Sequence, residues 1–124
     1  METIVSSRGS GAIGPYSPGI RTGPFVFTSG QIPIDPETGA LIEGPIGAQT
    51  TRALENVEAI LVAAGTGRGK VVKTTIFLVD MADFAAVNAA YAAFFGEHKP
   101  ARSTVQVARL PKDARIEIEA VAER

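Results

Sequence analysis

Residues 101–122 read Ala-Arg-Ser-Thr-Val-Gln-Val-Ala-Arg-Leu-Pro-Lys-Asp-Ala-Arg-Ile-Glu-Ile-Glu-Ala-Val-Ala, and no other stretch of the chain is as informative. Polar and apolar residues alternate on both sides of a Leu-Pro-Lys-Asp turn, a pattern that predicts a β-hairpin. Arg102 begins the first predicted strand, and Glu117 and Glu119 share one face of the second. A guanidinium with carboxylates nearby is typical of a site for a small carboxylic acid.

Two segments upstream of this hairpin have helical periodicity. Apolar residues recur three and four positions apart over residues 46–64, and Gly65 provides the stop. Either Asp80 or Asp83 can cap a second helix, which runs to about Phe95. The stripe of this helix that we expect to face the core consists of Phe84, Val87, Asn88, Tyr91, Phe94 and Phe95.

The remaining segments predict strands and loops. Residues 2–6, 25–29 and 70–79 have strand character, and residues 35–39 form a turn. Residues 9–18, rich in Gly, Ser and Pro, predict an ordered loop or an irregular strand. We therefore expect an α+β fold with an about six-stranded mixed sheet and two helices on one face.

Two helices leave the other face of such a sheet bare. A large exposed apolar patch usually indicates an interface. We expect this face to pack on other copies of the chain in a closed cyclic homo-oligomer, with clefts between subunits as ligand sites.

The composition excludes several classes of function. The 124 residues fit one domain, 1–124, and a net charge of -1 disfavours nucleic-acid and anionic-membrane binding. There is no cysteine and only one histidine, His98, so disulfides, thiolate chemistry and His-rich metal sites are excluded. Without a signal-like or membrane-spanning apolar run, we predict a cytoplasmic protein.

The hairpin contains the leading candidates for chemistry. Arg102 either anchors a carboxylate through two parallel hydrogen bonds, or is a surface arginine or part of a structural salt bridge. Glu117 either positions a water or faces solvent, paired with Arg115 or Lys112. Glu119 competes with Glu117 for this role, and spacing alone does not separate them.

Other polar residues have two interpretations each. Tyr16 either donates a hydrogen bond to a ligand or packs as a loop aromatic, and Ser29 ends a strand where backbone could approach a ligand. We expect Asn88 and Tyr91 to be core or interface groups with hydrogen-bond partners, and His98 to lie in a surface loop.

Several short motifs extend over essentially the whole chain. They are Gly14-Pro15-Tyr16, Thr28-Ser29-Gly30-Gln31-Ile32, Asn56-Val57, Val72-Lys73-Thr74-Thr75, Asp83-Phe84, Val87-Asn88-x-x-Tyr91, Pro100-Ala101-Arg102-Ser103, Val107-Ala108-x-Leu110-Pro111 and Ile116-Glu117-Ile118-Glu119-Ala120. In this order they resemble the RidA (YjgF-type) family. The Arg-Ser and Ile-Glu-Ile-Glu-Ala blocks are the most specific.

The resemblance implies a chorismate-mutase-like α+β fold and a homotrimer with sites at the subunit clefts. It also implies hydrolysis of 2-imino or 2-enamino acids, such as 2-aminoacrylate/2-iminopropanoate and 2-iminobutanoate, to 2-keto acids and ammonia. An imine is already electrophilic, so orientation, a positioned water and electrostatic help suffice without metal or cofactor.

The same resemblance implies roles for individual residues. Arg102 would hold the substrate carboxylate, and Glu117, the first glutamate of its block, would position the attacking water. Tyr16 and Ser29 would line the pocket, and backbone at Gly30 and Thr104 would contact the substrate. The chain departs from the family at Thr104, which is often cysteine in bacterial members, and it lacks the Phe that frequently precedes Pro-Ala-Arg.

Two alternatives to an imine deaminase remain open. One is a non-catalytic trimer that binds small keto or amino acids through Arg102. The other is the ribonuclease or translation-inhibitor role attached to some relatives, which the near-neutral charge disfavours.

Overall fold

The computed structural model describes residues 1–5 and 14–124. Within them, six strands form one mixed sheet: β1 (Glu2–Ile4), β2 (Gly19–Thr22), β3 (Phe25–Thr28), β4 (Val71–Leu78), β5 (Ala101–Gln106) and β6 (Ile116–Glu123). The helices are α1 (Ile46–Ala63) and α2 (Phe84–Phe95). The predicted six-stranded α+β architecture is confirmed.

The predicted hairpin over residues 101–122 is wrong. The strand order is β1-β2-β3-β6-β4-β5, so β4 lies between β5 and β6. β5 is parallel to β4, because α2 carries the chain back across the sheet between them, whereas β6 is antiparallel to both β3 and β4. Residues 107–115 connect β5 to β6 and cross over the end of β4, which lies between them.

Strand β2 is an element that the sequence pattern did not predict. Its four residues lie between Pro18 and Gly23, which are typical of turns. Four residues are too few to show an alternating pattern between two such turn signals. The predicted segment 9–18 lies outside the described residues as far as residue 13, and residues 14–18 lead into β2.

Both helices pack on one face of the sheet around a single main core. The predicted apolar positions of α1 are buried, and so are Val87, Tyr91 and Phe95 of α2. The oxygen Oδ1 of Asp80 accepts a hydrogen bond from the backbone of Ala82, so Asp80 provides the cap ahead of α2. Among the described residues, neither helix is long and apolar enough to cross a membrane.

The opposite face of the sheet is open, as predicted. Phe25 is 39%, Phe27 42% and Val105 42% exposed, and all three side chains point away from the helices. Glu117 and Glu119 lie on the same open face, because the residues that alternate with them, Ile116 and Ile118, are fully buried beneath the helices.

Candidate functional site

Arg102 lies near the start of the edge strand β5 and faces the helices. It is paired with Thr74 of β4, and its Cζ lies 4.8 Å from the ring centroid of Tyr91 and 5.7 Å from that of Phe84. Every other arginine among residues 1–5 and 14–124 donates a hydrogen bond within the chain, whereas the Arg102 guanidinium has no such partner there. The alternative of a structural salt bridge is therefore not found, and the guanidinium is available to an anion.

A cavity of about 300 Å³ opens beside this guanidinium. Its walls come from α2 and from the segment that leads to β5, and they are formed by Asn88, Tyr91, Ala92, Phe95, Gly96, His98, Lys99, Pro100 and Arg102. Most of this lining is aromatic or aliphatic, so Arg102 presents its charge at the edge of a largely apolar space. A small carboxylic acid with an apolar side chain suits such surroundings.

The polar groups around the cavity differ in their hydrogen bonding. The Tyr91 hydroxyl lies 2.7 Å from the Thr74 hydroxyl, and burial raises the pKa of this phenol. His98 lies in a loop as predicted, but it is half-buried rather than at the surface, with Nε2 2.6 Å from the carbonyl oxygen of Val71. The buried Oδ1 of Asn88 has no partner among the described residues, contrary to expectation.

Thr104 shares the helix-facing side of β5 with Arg102. It is paired with Ile76 of β4, and its Oγ1 is buried with no hydrogen-bond partner in the described part of the chain. We refer to Arg102 and Thr104 together as the Arg102 half-site.

Glu117 lies in β6 against Gly30. A methyl group at Gly30 would overlap Oε1 of Glu117 and lie 2.7 Å from its Cδ, so the absence of a side chain makes room for the carboxylate. The predicted alternative partners are engaged elsewhere: Arg115 pairs with Asp83, and Lys112 donates to a backbone carbonyl. Burial, and to a lesser extent the charge of Glu119, raise the pKa of the Glu117 carboxyl.

Ser29 precedes Gly30 in the chain, and Tyr16 is linked to Ser29 through its chain neighbour Ser17. The Ser29 hydroxyl donates a 2.6 Å hydrogen bond to the carbonyl of Ser17, which ties the segment 14–18 to the end of β3. Tyr16 is 48% exposed, and its ring lies over Gly14. We refer to Tyr16, Ser29, Gly30 and Glu117 as the Glu117 half-site.

The two half-sites lie on opposite faces of the sheet. Arg102 is paired with Thr74 and Glu117 with Phe77, positions three residues apart on β4, so the two side chains point to opposite sides. They are also separated by about 10 Å along the sheet and about 10 Å across it. One chain therefore cannot place both groups around one small substrate. Within residues 1–5 and 14–124, no cluster of His, Asp and Glu side chains is arranged to hold a metal ion.

Comparison with known proteins gives one consistent family. Residues 8–124 match the family model described as Endoribonuclease L-PSP. A 2-iminobutanoate/2-iminopropanoate deaminase of Salmonella typhimurium is 56% identical over 126 residues, covering 99% of this chain and 98% of the relative. The crystal structure of Escherichia coli TdcF with bound serine is 50% identical with a TM-score of 0.95, covering 100% of this chain and 99% of that one. A putative endoribonuclease structure from Thermotoga maritima is 48% identical, with a TM-score of 0.97 and coverage of 100% and 98%.

Proposed function

This chain belongs to the endoribonuclease L-PSP family, which is the RidA (YjgF-type) family, and from that premise we propose that it hydrolyses reactive 2-imino and 2-enamino acids to 2-keto acids and ammonia. The substrates are 2-aminoacrylate/2-iminopropanoate and 2-iminobutanoate. Full-length relatives at 52–56% identity bear the name of this deaminase. Residues 1–124 act as one RidA-like domain, and a cytoplasmic location stays a prediction.

The observation that carries the proposal is the guanidinium of Arg102, which has no hydrogen bond or ion pair within the described residues and lies beside a largely apolar cavity. A guanidinium offers two parallel donors to a carboxylate, and such charge-assisted pairs are about twice as strong as neutral hydrogen bonds. The 2-imino acids have a carboxylate next to the reacting carbon. Arg102 therefore binds the substrate and orients its C=N bond at the same time.

The reaction requires one water and one proton acceptor. The water oxygen attacks C2, the C=N double bond becomes single, and a water proton passes to the nitrogen. The second water proton then passes from the oxygen to the nitrogen, the C–N bond breaks, the oxygen forms the keto group and ammonia leaves. A 2-enamino acid enters this sequence as its imine, formed when a proton moves from the nitrogen to C3. The carboxylate of Glu117 is the group that orients the water and relays the proton, since burial and Glu119 raise its pKa and make it a better proton acceptor. Tyr16, Ser29 and the backbone of Gly30 and Thr104 line the substrate.

Assembly completes the site under this proposal. Arg102 and Glu117 face opposite sides of the sheet of one chain, and the open face carries exposed Phe25, Phe27 and Val105. Burial of this face in a closed homotrimer places the Arg102 half-site of one subunit beside the Glu117 half-site of another.

The test generates 2-aminoacrylate or 2-iminobutanoate in situ with a dehydratase and follows loss of the imine. The wild-type protein is expected to accelerate it, and Arg102→Ala to lower kcat/KM by about 10²-fold or more, since a charged hydrogen-bonded pair is lost. Arg109→Ala is the matched control, because the Arg109 side chain is 79% exposed and, in the part of the chain that the structure describes, pairs only with Asp113. It should leave the rate unchanged.

Each alternative function has its own outcome in the same experiment. No acceleration by the wild type, combined with Arg102-dependent binding of 2-ketobutanoate, would replace the enzyme with a non-catalytic binding protein. Cleavage of RNA without imine hydrolysis would favour the ribonuclease alternative. Full imine hydrolysis by Arg102→Ala would remove Arg102 as the carboxylate anchor.

A further inference from the structure

We propose that Tyr91 is a positioning residue for the carboxylate anchor: its ring, held in place by the Thr74 hydroxyl, orients the guanidinium of Arg102. This inference rests on the proposed function only in taking Arg102 as the group that binds the substrate carboxylate. Neither Tyr91 nor Thr74 needs to touch the substrate for this role.

The first step of the argument is the stacking of Arg102 on aromatic rings. Its Cζ lies 4.8 Å from the Tyr91 ring centroid and 5.7 Å from that of Phe84, both on α2. Both distances are within the range of a cation–π contact, which favours Arg over an aromatic face. The two rings therefore restrain a guanidinium that has no hydrogen bond within the described residues.

The second step is the way in which Tyr91 itself is fixed. Thr74 is fully buried and Tyr91 is 8% exposed, and their hydroxyl oxygens are 2.7 Å apart. Thr74 on β4 is also the register partner of Arg102 on β5. The residue that holds the Tyr91 ring therefore lies directly beside the residue that the ring supports. The ring of Phe95, 4.8 Å from that of Tyr91, packs beside it.

The third step is the reason for an aromatic support rather than an acidic one. A carboxylate partner would hold the guanidinium more strongly, but it would occupy the donors that the substrate carboxylate needs. A ring face restrains the guanidinium plane and uses none of its five N–H groups. Tyr91 thus lowers the conformational entropy that the Arg102 side chain loses when the substrate binds, and it does not compete with the substrate for the N–H groups.

The experiment measures steady-state imine hydrolysis and the Kd of 2-ketobutanoate, a non-reacting carboxylate, for wild-type and variant proteins. Tyr91→Leu is expected to raise both KM and Kd by about 3- to 10-fold with a smaller change in kcat, the size of a partly desolvated cation–π contact. Tyr91→Phe keeps the ring but loses its hydrogen bond to Thr74, so Kd should rise by about 2-fold, less than in Tyr91→Leu.

Phe94→Leu is the matched control. Phe94 is on the same helix, and its ring supports a different guanidinium, with Cζ of Arg68 3.7 Å from the ring centroid. This variant should leave KM and Kd unchanged. If Tyr91→Leu does not fold, Phe84→Leu replaces the second, half-buried ring and is expected to raise Kd by about 2- to 3-fold.

Repeating the Tyr91→Leu substitution in an Arg102→Lys protein separates positioning of Arg102 from a general effect on the fold. In Arg102→Lys, whose ammonium has no plane to orient, Tyr91→Leu should change Kd by less than about 2-fold. An unchanged Kd in Tyr91→Leu alone, or the same loss in both backgrounds, would overturn the inference. A wild type that binds 2-ketobutanoate but hydrolyses no imine would refute the proposed activity and leave this binding test intact.

Discussion

Single residues of the two half-sites carry opposite charges that have no ion-pair partner among residues 1–5 and 14–124. The Arg102 guanidinium lies on aromatic rings, and the Glu117 carboxylate lies in the space left by Gly30, with no cation against it in the described part of the chain. An unpaired charge that is partly removed from water is costly. We therefore expect neither residue to add much to the stability of the single chain. Under the proposed function, a ligand and a second chain complete the site around them.

Thr104 gives a prediction at this scale. Its buried Oγ1 has no partner within the described residues, so Thr104→Val is expected to raise the free energy of unfolding by about 0–2 kcal/mol, because a buried unsatisfied hydroxyl is removed. Activity should stay within about 2-fold of the wild type if only the backbone at this position contacts the substrate. Urea denaturation and the imine assay measure both.

Thr28→Val is the matched control for this substitution. The Oγ1 of Thr28 accepts a 3.0 Å hydrogen bond from the backbone N–H of Ala120, so its loss is expected to destabilise the protein by about 1 kcal/mol. A loss of activity in Thr104→Val while stability rises would contradict the backbone role and assign the hydroxyl to the substrate.

Among the elements, β2 approaches α1 closely at one position, Gly19. A Cβ at Gly19 would lie 2.7 Å from Cγ2 of Ile60, which is 1% exposed, and 3.1 Å from the carbonyl oxygen of Phe27. Gly19 therefore allows the helix to approach the strand directly. Close backbone approach is one of the few reasons for a glycine within a strand.

Gly19→Ala tests this contact. We expect the free energy of unfolding to fall by about 1–3 kcal/mol, because the added methyl overpacks the space between β2 and α1. Gly47→Ala makes the same chemical change in α1, where a Cβ meets nothing within 4 Å. That control should be neutral or stabilising by up to about 1 kcal/mol. Equal free energies of unfolding for the two variants in urea denaturation would show that a methyl group at Gly19 fits between β2 and α1, and would contradict the overpacking.

For the whole molecule, the open face and the separated half-sites lead to the same expectation. A sheet with exposed Phe25, Phe27 and Val105 is expected to need a partner surface, and under the proposed function the two half-sites on opposite faces need a second chain. A closed oligomer meets both needs at once.

Under the proposed assembly the wild type is an oligomer, and Phe27→Asp is expected to make it a monomer, because it places a charge on the exposed apolar face that we propose as the interface. Light scattering should report the change in mass, circular dichroism should stay native, and imine hydrolysis should be lost. Val62→Asp, at a 49% exposed position on the outer side of α1, is the matched control. A variant at Phe27 that keeps the mass of the wild type, or a fully active monomer, would contradict the inter-subunit site.

Local sequence determined much of this protein. The period of the apolar residues in α1 and α2, the alternation in β6 and the candidate status of Arg102 all follow from near neighbours in the chain, because periodicity reports which side of an element is buried. The buried face of α1 also contains Asn56, whose amide donates to the carbonyls of Ile32 and Ile34, and its partners could not be foreseen from spacing.

The tertiary structure alone decided which elements and residues are neighbours. Alternation in residues 101–122 is the same whether the two strands pair with each other or with β4, and the crossover through α2 selects the second arrangement. That choice separates Arg102 from Glu117 and places Tyr91 beneath the guanidinium. Strand pairing and the packing of helices on the sheet bring together residues that are far apart in the chain. Local sequence patterns depend on near neighbours only, so they do not predict these contacts.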